Sequence, residues 1–309
     1  MRVLVTGCAG FIGCHLSERL LREKHEVVGL DNLSSGSRPN VDYLAALPGF
    51  QFVEHNLSQP LPPLGRFDLI CNLACPASPV DFERIPLEIL AVCSAGMRNV
   101  LELACACNAP LLHTSTSEVY GDPKEHPQRE TYWGHVNPIG KRSCYDEGKR
   151  FAEALAVAYR DSRGARPRIA RIFNTYGPRM RHDDGRMLPN FILQALAGKP
   201  LTVHGDGSQT RSFCYVSDMV DGLLRLALSD VSEPVNLGNP VEITVLQAAE
   251  EVIRLTNSSS RISFVPRPPD DPCIRRPDIT RAQQRLGWSP QIDRQDGFRR
   301  TIEWFRTGR

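Results

Sequence analysis

The chain has 309 residues, of which 41% are hydrophobic and 23% are charged, as expected for a globular protein with one large domain or two unequal ones. Its formal net charge of +2 argues against nucleic acid or an anionic membrane surface as a partner. The chain opens on a strand pattern rather than a signal peptide and contains no run of about 18 apolar residues, so we expect a cytoplasmic protein without a membrane span.

The ten cysteines predict neither a disulfide framework nor a metal site. They show no paired CxxC spacing and lie mostly in apolar or helical surroundings. Since free cysteine packs as a small hydrophobe, we expect buried reduced thiols. Cys144 is given the same packing role, although it adjoins a tyrosine of interest.

The first elements predict a dinucleotide-binding turn. A β-branched strand, Arg2–Thr6, is followed by Gly7, Gly10 and Gly13 and then by apolar residues at helical spacing. Gly7 would allow a sharp turn, Gly10 would let a pyrophosphate approach the backbone, and Gly13 would let the helix pack tightly. The free N–H groups at the helix start would then face the phosphates.

A second strand pattern, EVVGLD, ends at Asp31. An acid at this position suits the adenosine ribose hydroxyls and repels a 2′-phosphate, which favours NAD over NADP. Arg38, a few residues later, weakens that preference slightly.

The rest of the chain alternates strand and helix patterns, which predicts an α/β fold with a Rossmann-type doubly wound parallel sheet. Further strands are predicted at 50–55, 67–74, 110–117, 167–174 and 234–239, and helical patterns include 86–108 and 145–162.

From about residue 175 the sequence becomes rich in Pro, Asp and Arg, notably at 176–190 and 265–278, which indicates loops. We therefore expect a Rossmann domain over 1–174, with later segments near 212–240 returning to it. A smaller, discontinuous C-terminal lobe over 175–309 would bind substrate.

Two stretches carry candidate chemistry. Ser115, Thr116, Ser117 and Glu118 close a predicted strand, so they should stand at the carboxyl edge of the sheet, where ligands of such folds bind.

Tyr145 and Lys149 are four residues apart and would share one helix face. A neighbouring ammonium favours the phenolate, so together with oxidised nicotinamide it would lower the tyrosine pKa from about 10 toward neutrality. Tyr145 would then be a general base for a sugar hydroxyl whose carbon loses hydride to NAD.

These motifs resemble those of the UDP-glucuronate decarboxylases in the extended short-chain dehydrogenase/reductase family, over essentially the full length. The strings that carry the resemblance are VTGCAGFIG, NLACPASP, STSEVYGDP, YWGHVNPIGKRSCYDEGKR, ARIFNTYGPRM, DDGRMLPNFI, GDGSQTRSFCYV, NLGNP and DDPCIRRPDI.

The resemblance implies a carboxy-lyase with tightly bound NAD that converts UDP-glucuronate to UDP-xylose by oxidation at C4, decarboxylation and re-reduction. Tyr145 would be the base, Lys149 would tune it and hold the nicotinamide ribose, and Thr116 would be the hydroxyl partner. Glu118 and Ser117 would stand near C5 and the carboxylate, with the group that protonates C5 left open.

Binding residues follow from the motif and the resemblance together. The predicted cofactor contacts are Gly7, Gly10, Phe11, Ile12, Gly13, Asp31, Asn32, Ser35, Gly36, Asn56, Leu57, Leu73, Tyr145 and Lys149. The predicted substrate contacts are Asn99, Asn174, Arg186, Arg211, Tyr215 and Arg275, since guanidinium groups suit phosphates.

The chain departs from the family pattern at two places. Asn56 stands where most relatives carry an aspartate, a change that still allows hydrogen bonding. Ala91, Val92 and Cys93 stand where relatives usually carry Lys, Thr and Asn, and the missing lysine leaves the reaction outcome open.

Three other functions remain open. A UDP-glucuronate 4-epimerase makes the same keto intermediate but usually lacks an acid at the position of Glu118. A 4,6-dehydratase needs an acid where this chain has Ser117. A non-catalytic NAD-sensing protein would typically lack the tyrosine or the lysine.

Helices 86–108 and 145–162 would pair two copies into a homodimer, as in related enzymes.

Overall fold

The computed structural model describes residues 1–267 and 274–308. Cys273 and the middle of the loop predicted at 265–278 lie outside the described residues. Within those residues the chain forms the following strands: β1 (Arg2–Thr6), β2 (Glu26–Asp31), β3 (Phe50–Glu54), β4 (Leu69–Asn72), β5 (Pro110–Thr116), β6 (Arg166–Ile172), β7 (Thr175–Tyr176), β8 (Leu201–His204), β9 (Thr210–Ser212), β10 (Cys214–Tyr215), β11 (Val235–Leu237), β12 (Glu242–Thr244) and β13 (Ile262–Val265).

The α-helices of the same residues alternate with the strands. They are α1 (Phe11–Arg22), α2 (Arg38–Ala45), α3 (Pro79–Arg84), α4 (Pro86–Ala91), α5 (Met97–Cys107), α6 (Ser143–Arg163), α7 (Met187–Leu196), α8 (Val216–Leu228), α9 (Val245–Thr256), α10 (Thr280–Leu286) and α11 (Arg294–Thr307).

The main sheet has seven parallel strands in the order β11-β6-β5-β4-β1-β2-β3. The strand order reverses between β1 and β4, which is the point where sheets of this kind open a crevice at their carboxyl ends. The predicted Rossmann-type sheet is therefore confirmed. The Gly7 turn and the Thr116 strand end both lie on the crevice edge.

The alternation of side chains along β1 explains why the sheet is covered on both faces. Val3 and Val5 pack into one core with Leu16 of α1, whereas Leu4 packs into a second core with Val100 of α5. A strand buried on both faces must read as a continuous apolar run, as this one does.

The later part of the chain also contributes to the main sheet and its covering helices. β11 pairs with β6, and α8 packs on β5 and β6. The exact division into a cofactor domain and a substrate lobe remains a prediction.

The loop predicted over 176–190 ends earlier than expected, because α7 begins at Met187. Pro189 lies in the first turn of that helix, where its missing N–H removes no intrahelical hydrogen bond. The proline therefore marks a helix start here rather than a continuing loop.

The predicted helix 86–108 exists as one helical run with a π-helical turn, Val92–Gly96, between α4 and α5. Among the described residues this run, Pro86–Cys107, is the one stretch long and apolar enough to cross a membrane. Its α5 segment packs on the sheet, as core helices of water-soluble proteins also do.

Candidate active site

The glycine turn between β1 and α1 has the predicted geometry. Gly7 adopts a φ of +74°, which side-chain-bearing residues rarely adopt, and its N–H donates to the Leu30 carbonyl at 2.8 Å. A Cβ on Gly13 would lie 2.0 Å from the Gly7 oxygen, so only glycine permits this close approach. The turn leaves the backbone open to a ligand at the start of α1.

A cleft opens beside this turn, and the space within it together with its open mouth is about 710 Å³. Nine of the predicted cofactor residues line it: Gly7, Gly10, Asp31, Asn32, Ser35, Gly36, Asn56, Leu57 and Leu73. Phe11, Ile12 and Gly13 lie in the first turn of α1, beside the cleft rather than in its wall. Tyr145 and Lys149 are also outside its wall.

The cleft wall also contains residues that were not predicted as cofactor contacts. Most adjoin the predicted contacts along the chain, and Glu88 comes from the helical run 86–107. They are Leu30, Ser34, His55, Ser58, Ala74, Cys75, Pro76 and Glu88. Ala91 and Val92, which depart from the family pattern, also line the cleft.

Asp31 is buried at the end of β2, where it fixes the shape of the cleft. One carboxylate oxygen accepts from the Ala9 N–H at 3.0 Å, and the other accepts from the Leu33 N–H at 2.8 Å. Burial raises the pKa of Asp31, while these backbone hydrogen bonds act in the opposite direction. The acid thus holds the glycine turn and the following loop together at the place predicted for a ribose.

A second group of buried side chains stands at the carboxyl end of β5. Thr116 ends that strand, and Tyr145 and Lys149 lie on the first turns of α6. The Lys149 ammonium donates to the Thr114 carbonyl at 2.8 Å and lies 5.8 Å from the centre of the Tyr145 ring. The ring of Phe82, from α3, stacks on Tyr145 with centroids 4.9 Å apart.

In the protein alone, the Tyr145 phenol is less acidic than a free phenol, and the lowering of its pKa by Lys149 and oxidised nicotinamide together stays a prediction. Burial is the largest effect and raises the pKa of the phenol to about 12, although Lys149 and a hydrogen bond from Thr116 both lower it. Lys149 acts in the predicted direction, but in the protein alone it does not overcome the cost of burying a phenolate.

Glu118 lies in a largely buried ion cluster. Its carboxylate accepts a bidentate pair of hydrogen bonds from Arg275, one of them at 2.8 Å, and a further contact at 2.8 Å comes from Arg142. Burial raises the pKa of Glu118, but the two arginines outweigh it and bring the pKa to about 2. Arg275 was predicted to reach the nucleotide or sugar. In this structure its guanidinium group donates hydrogen bonds to Glu118.

Asp146 adjoins the same cluster. Its Oδ2 lies 3.9 Å from Arg142, and its Oδ1 is buried with no hydrogen-bond partner. Burial, followed by the charge of Glu118, raises the pKa of Asp146 to about 7. Neither Arg142 nor Asp146 was singled out from the sequence, although both flank Tyr145 within one helical turn.

The other predicted substrate residues are dispersed. Asn99 donates to the carbonyls of Leu57 and Gln59, each at 2.8 Å, and so supports the cleft loop rather than the Tyr145 group. Tyr215 packs in the core against the ring of Tyr176, with centroids 5.5 Å apart.

Three polar residues come from the 174–212 segment. Arg186 donates to the Ala77 carbonyl at 2.8 Å and so reaches the loop after β4. Asn174 lies two residues after the end of β6, and Arg211 lies in β9, where it donates to the Thr210 carbonyl at 2.8 Å. Ser117 is buried beside Glu118 in a short 3-10 turn, Ser117–Tyr120.

Comparison with known proteins adds three findings. Residues 3–238 match the model of the NAD dependent epimerase/dehydratase family. The chain is 52% identical over 307 residues to UDP-glucuronic acid decarboxylase 5 of Arabidopsis thaliana, covering 99% of this chain and 89% of that protein. It is 50% identical to UDP-glucuronic acid decarboxylase 1 of Danio rerio, covering 98% of this chain and 72% of that protein.

Among solved structures, the chain is similar to UDP-glucuronic acid 4-epimerase from Bacillus cereus in complex with UDP-glucuronic acid and NAD. The TM-score is 0.88 and the sequence identity is 28%, with complete coverage of both chains.

Proposed function

This chain belongs to the NAD dependent epimerase/dehydratase family, and from that premise we propose that it is a UDP-glucuronate decarboxylase. The reaction converts UDP-glucuronate to UDP-xylose and carbon dioxide. The observation that carries the proposal is the group of Thr116, Tyr145 and Lys149 at the sheet edge, next to the buried cluster of Glu118 with its two arginines.

The cleft fits NAD. The Gly7 turn gives the close backbone approach that a pyrophosphate needs, and Asp31 stands at the strand end that suits ribose hydroxyls. Gly7, Gly10, Asp31, Asn56 and Leu57 would hold the dinucleotide. When bound there, NAD would supply the hydride acceptor for oxidation at C4 and, in its reduced form, the hydride donor for re-reduction.

Tyr145 acts as the base for the 4-hydroxyl proton and later returns a proton to the same oxygen. Lys149 opposes the effect of burial on the pKa of Tyr145, and Thr116 hydrogen-bonds the phenol oxygen of Tyr145. A further positive charge near the phenol would lower the pKa of Tyr145, as Lys149 does. Such a charge would allow Tyr145 to act as a base although its pKa is high in the protein alone.

Oxidation at C4 makes the substrate a β-keto acid, which can lose its carboxylate as carbon dioxide while the ketone oxygen accepts the electrons. With a pKa of about 2, Glu118 stays ionised at neutral pH and is a poor proton donor. Glu118 therefore orients Arg142 and Arg275, and the proton that returns to C5 comes through Ser117 or a water molecule. Arg186, Arg211 and Asn174 remain proposed contacts of the UDP moiety.

The main alternative is a UDP-glucuronate 4-epimerase, because a solved structure of that activity matches the whole chain at a TM-score of 0.88. Its 28% identity is well below the 52% identity to a decarboxylase, so the decarboxylase is favoured. A 4,6-dehydratase is disfavoured by Ser117, and a non-catalytic NAD sensor by the retained Tyr145 and Lys149.

One incubation separates these functions. Purified protein mixed with UDP-glucuronate and NAD should release carbon dioxide and UDP-xylose, as followed by chromatography and mass spectrometry. UDP-galacturonate as the product would establish the epimerase instead. Bound NAD with no product would establish the sensor.

We also propose a cytoplasmic homodimer. Leu87 and Leu90 on α4 and Phe151 on α6 are large apolar residues that are 75%, 41% and 51% exposed. The two helices pack on each other, and an exposed apolar face of this kind is typical of a protein–protein contact.

A further inference from the structure

Two cysteine thiols meet at the boundary of the cofactor cleft. The Sγ atoms of Cys75 and Cys93 are 3.6 Å apart, and one thiol donates a hydrogen bond to the other. Cys75 lies in the loop after β4 and lines the cleft. Cys93 lies in the π-helical turn Val92–Gly96, directly after Ala91 and Val92, which line the cleft as well.

We propose that Cys75 and Cys93 form a peroxide-sensitive dithiol, whose closure to a disulfide ties two segments of the NAD cleft together and slows the exchange of NAD. The sulfur atoms need to approach by about 1.5 Å to reach the bonding distance of about 2.05 Å. One partner lies in an irregular loop, which can adjust by that distance more readily than a helix or strand.

The two thiols have different chemical environments. The hydrogen bond from Cys93 and the nearby Lys149 ammonium lower the pKa of the Cys75 thiol to about 7, against the effect of burial. Cys93 donates this hydrogen bond to Cys75, and the bond, together with burial, raises the pKa of Cys93. Cys75 is therefore the nucleophile that reacts first, and Cys93 is the thiol that resolves the product.

The chemistry balances with hydrogen peroxide as the oxidant. The Cys75 thiolate attacks one peroxide oxygen, the O–O bond breaks, and a sulfenic acid forms with hydroxide, which takes up a proton to become water. The Cys93 sulfur then attacks the Cys75 sulfur, and its proton leaves with the sulfenic oxygen as a second water. Two thiols are oxidised to one disulfide, and one peroxide is reduced to two waters.

Packing explains why closure would affect the cleft. A Cβ on Gly148 of α6 would lie 3.2 Å from the Cys93 sulfur, so the π-helical turn has little room on that side. Since Cys93 belongs to a helical run packed on α6 and Cys75 to an irregular loop, the approach should draw the Cys75 loop toward the helix. That loop carries Leu73, Ala74 and Pro76, which form part of the cleft wall, so its displacement narrows the opening.

Cys144 provides a matched control. It packs in the same apolar cluster as Cys75 and Cys93, and its thiol donates to the Phe82 carbonyl at 3.8 Å. It therefore shares the surroundings of the pair without sharing the hydrogen bond between the two sulfur atoms.

The first test is a cross-link measurement on the holoenzyme. The reduced protein is treated with hydrogen peroxide, its remaining thiols are blocked, and a tryptic digest is analysed without reduction. We expect peptide 67–84 joined to peptide 85–98, with fragmentation placing the bond on Cys75 rather than Cys71. A bond to the peptide of Cys144, or Cys75 oxidised without a cross-link, would overturn the proposal.

The second test measures the exchange of bound NAD for isotopically labelled NAD. Peroxide should slow exchange at least threefold in the wild type and in Cys144→Ala, and dithiothreitol should restore it. Cys93→Ala and Cys93→Ser should exchange at the untreated rate after the same treatment. Unchanged exchange in a cross-linked wild type, or equal slowing in the Cys93 variants, would refute the switch.

The exchange measurement relies on the NAD cleft of the proposed function, whereas the cross-link measurement does not. A protein that turns over no UDP-glucuronate but forms the Cys75–Cys93 bond contradicts only the proposed decarboxylase. A protein that makes UDP-xylose but leaves the two thiols unlinked contradicts only the dithiol.

Discussion

At the scale of single residues, the phenol of Tyr145 is where burial and charge compete most directly. We expect Tyr145→Phe to lower turnover of UDP-glucuronate by about 10²- to 10⁴-fold, the usual contribution of a general acid–base group. Nucleotide binding should be nearly unchanged, because the ring and its stacking on Phe82 are retained. Product formation and NAD titration are measured on the same samples.

The matched control for that variant is Tyr159→Phe. Tyr159 also lies on α6, its phenol donates to Glu102 of α5 at 2.6 Å, and it is not one of the residues that line the cleft. The control variant should keep at least half of the activity. A Tyr145→Phe variant that turns over UDP-glucuronate at a similar rate would remove this residue as the base.

Glu118 allows a prediction about pH. Its two arginines hold its pKa at about 2, below the ordinary value of 4.5, so the ionised form stabilises the fold. This contribution is fully present above about pH 4.5 and is lost as the pH falls through about 2. Asp146, whose pKa is raised to about 7, acts in the opposite direction: the stability that its protonated form contributes is lost as the pH rises through 7.

Glu118→Gln should therefore destabilise the protein at pH 7, by up to about 3–5 kcal/mol, since the buried Arg275 guanidinium loses its carboxylate partner and Arg142 keeps only the more distant Asp146. The difference from the wild type should shrink as the pH falls below about 4.5. Denaturant unfolding at several pH values checks both statements. The control is Glu303→Gln, which breaks an exposed ion pair with Arg306 and should change stability by less than about 1 kcal/mol.

A Glu118→Gln variant as stable as Glu303→Gln would show that the buried cluster does not stabilise the fold. A difference that grows as the pH falls would show that the direction of the pKa shift is wrong.

The sequence could not predict the chemistry of these residues in full. Tyr145 and Lys149 share a helix face, so their proximity follows from spacing alone. Glu118 and Arg275 are 157 positions apart, and no local pattern shows that they pair. The pKa of Tyr145 depends on how deeply Phe82 and its neighbours bury it, which is a property of the packed protein.

At the scale of elements, the glycine turn and the seven strands of the main sheet were predictable because each has a distinctive local pattern, whereas the short strands of the two-stranded sheets were not predicted. The π-helical turn Val92–Gly96 was not, since an extra residue in a helix leaves the apolar spacing nearly unchanged over so short a stretch. That turn sets the orientation of Cys93, so the meeting of Cys93 with Cys75 could not be predicted either.

The turn at Gly13 gives a test at this scale. A Cβ there would lie 2.0 Å from the Gly7 oxygen, whereas a Cβ on Gly10 would lie 3.2 Å from the same atom. We expect Gly13→Ala to lower the free energy of unfolding by about 1–3 kcal/mol and to weaken NAD binding, because the helix must move away from the turn. Denaturant unfolding and NAD titration measure the two effects.

Gly10→Ala is the matched comparison and should cost less stability than Gly13→Ala, since its contact can relax by a few tenths of an ångström. Equal losses in the two variants, or a Gly13→Ala variant with normal NAD binding, would contradict the role given to this close approach.

At the scale of the whole molecule, the apolar face on α4 and α6 is left exposed by the residues that the structure describes. Leu87 is 75% exposed and Phe151 is 51% exposed, although both belong to helices that support the candidate active site. Burying this face between two copies would remove apolar surface from water at about 25 cal/mol per Å². A dimer through these helices would also hold α6, and hence Tyr145 and Lys149, in place.

Phe151→Asp should therefore raise the dissociation constant of the dimer at least about tenfold, because it places a charge in an apolar contact. Light scattering over a dilution series measures the molecular mass directly. Phe264→Asp is the control, since Phe264 is 56% exposed on β13, outside the two helices, and should leave the mass unchanged. A wild type that is monomeric at all concentrations would disprove the dimer, and equal dissociation of both variants would place the interface elsewhere.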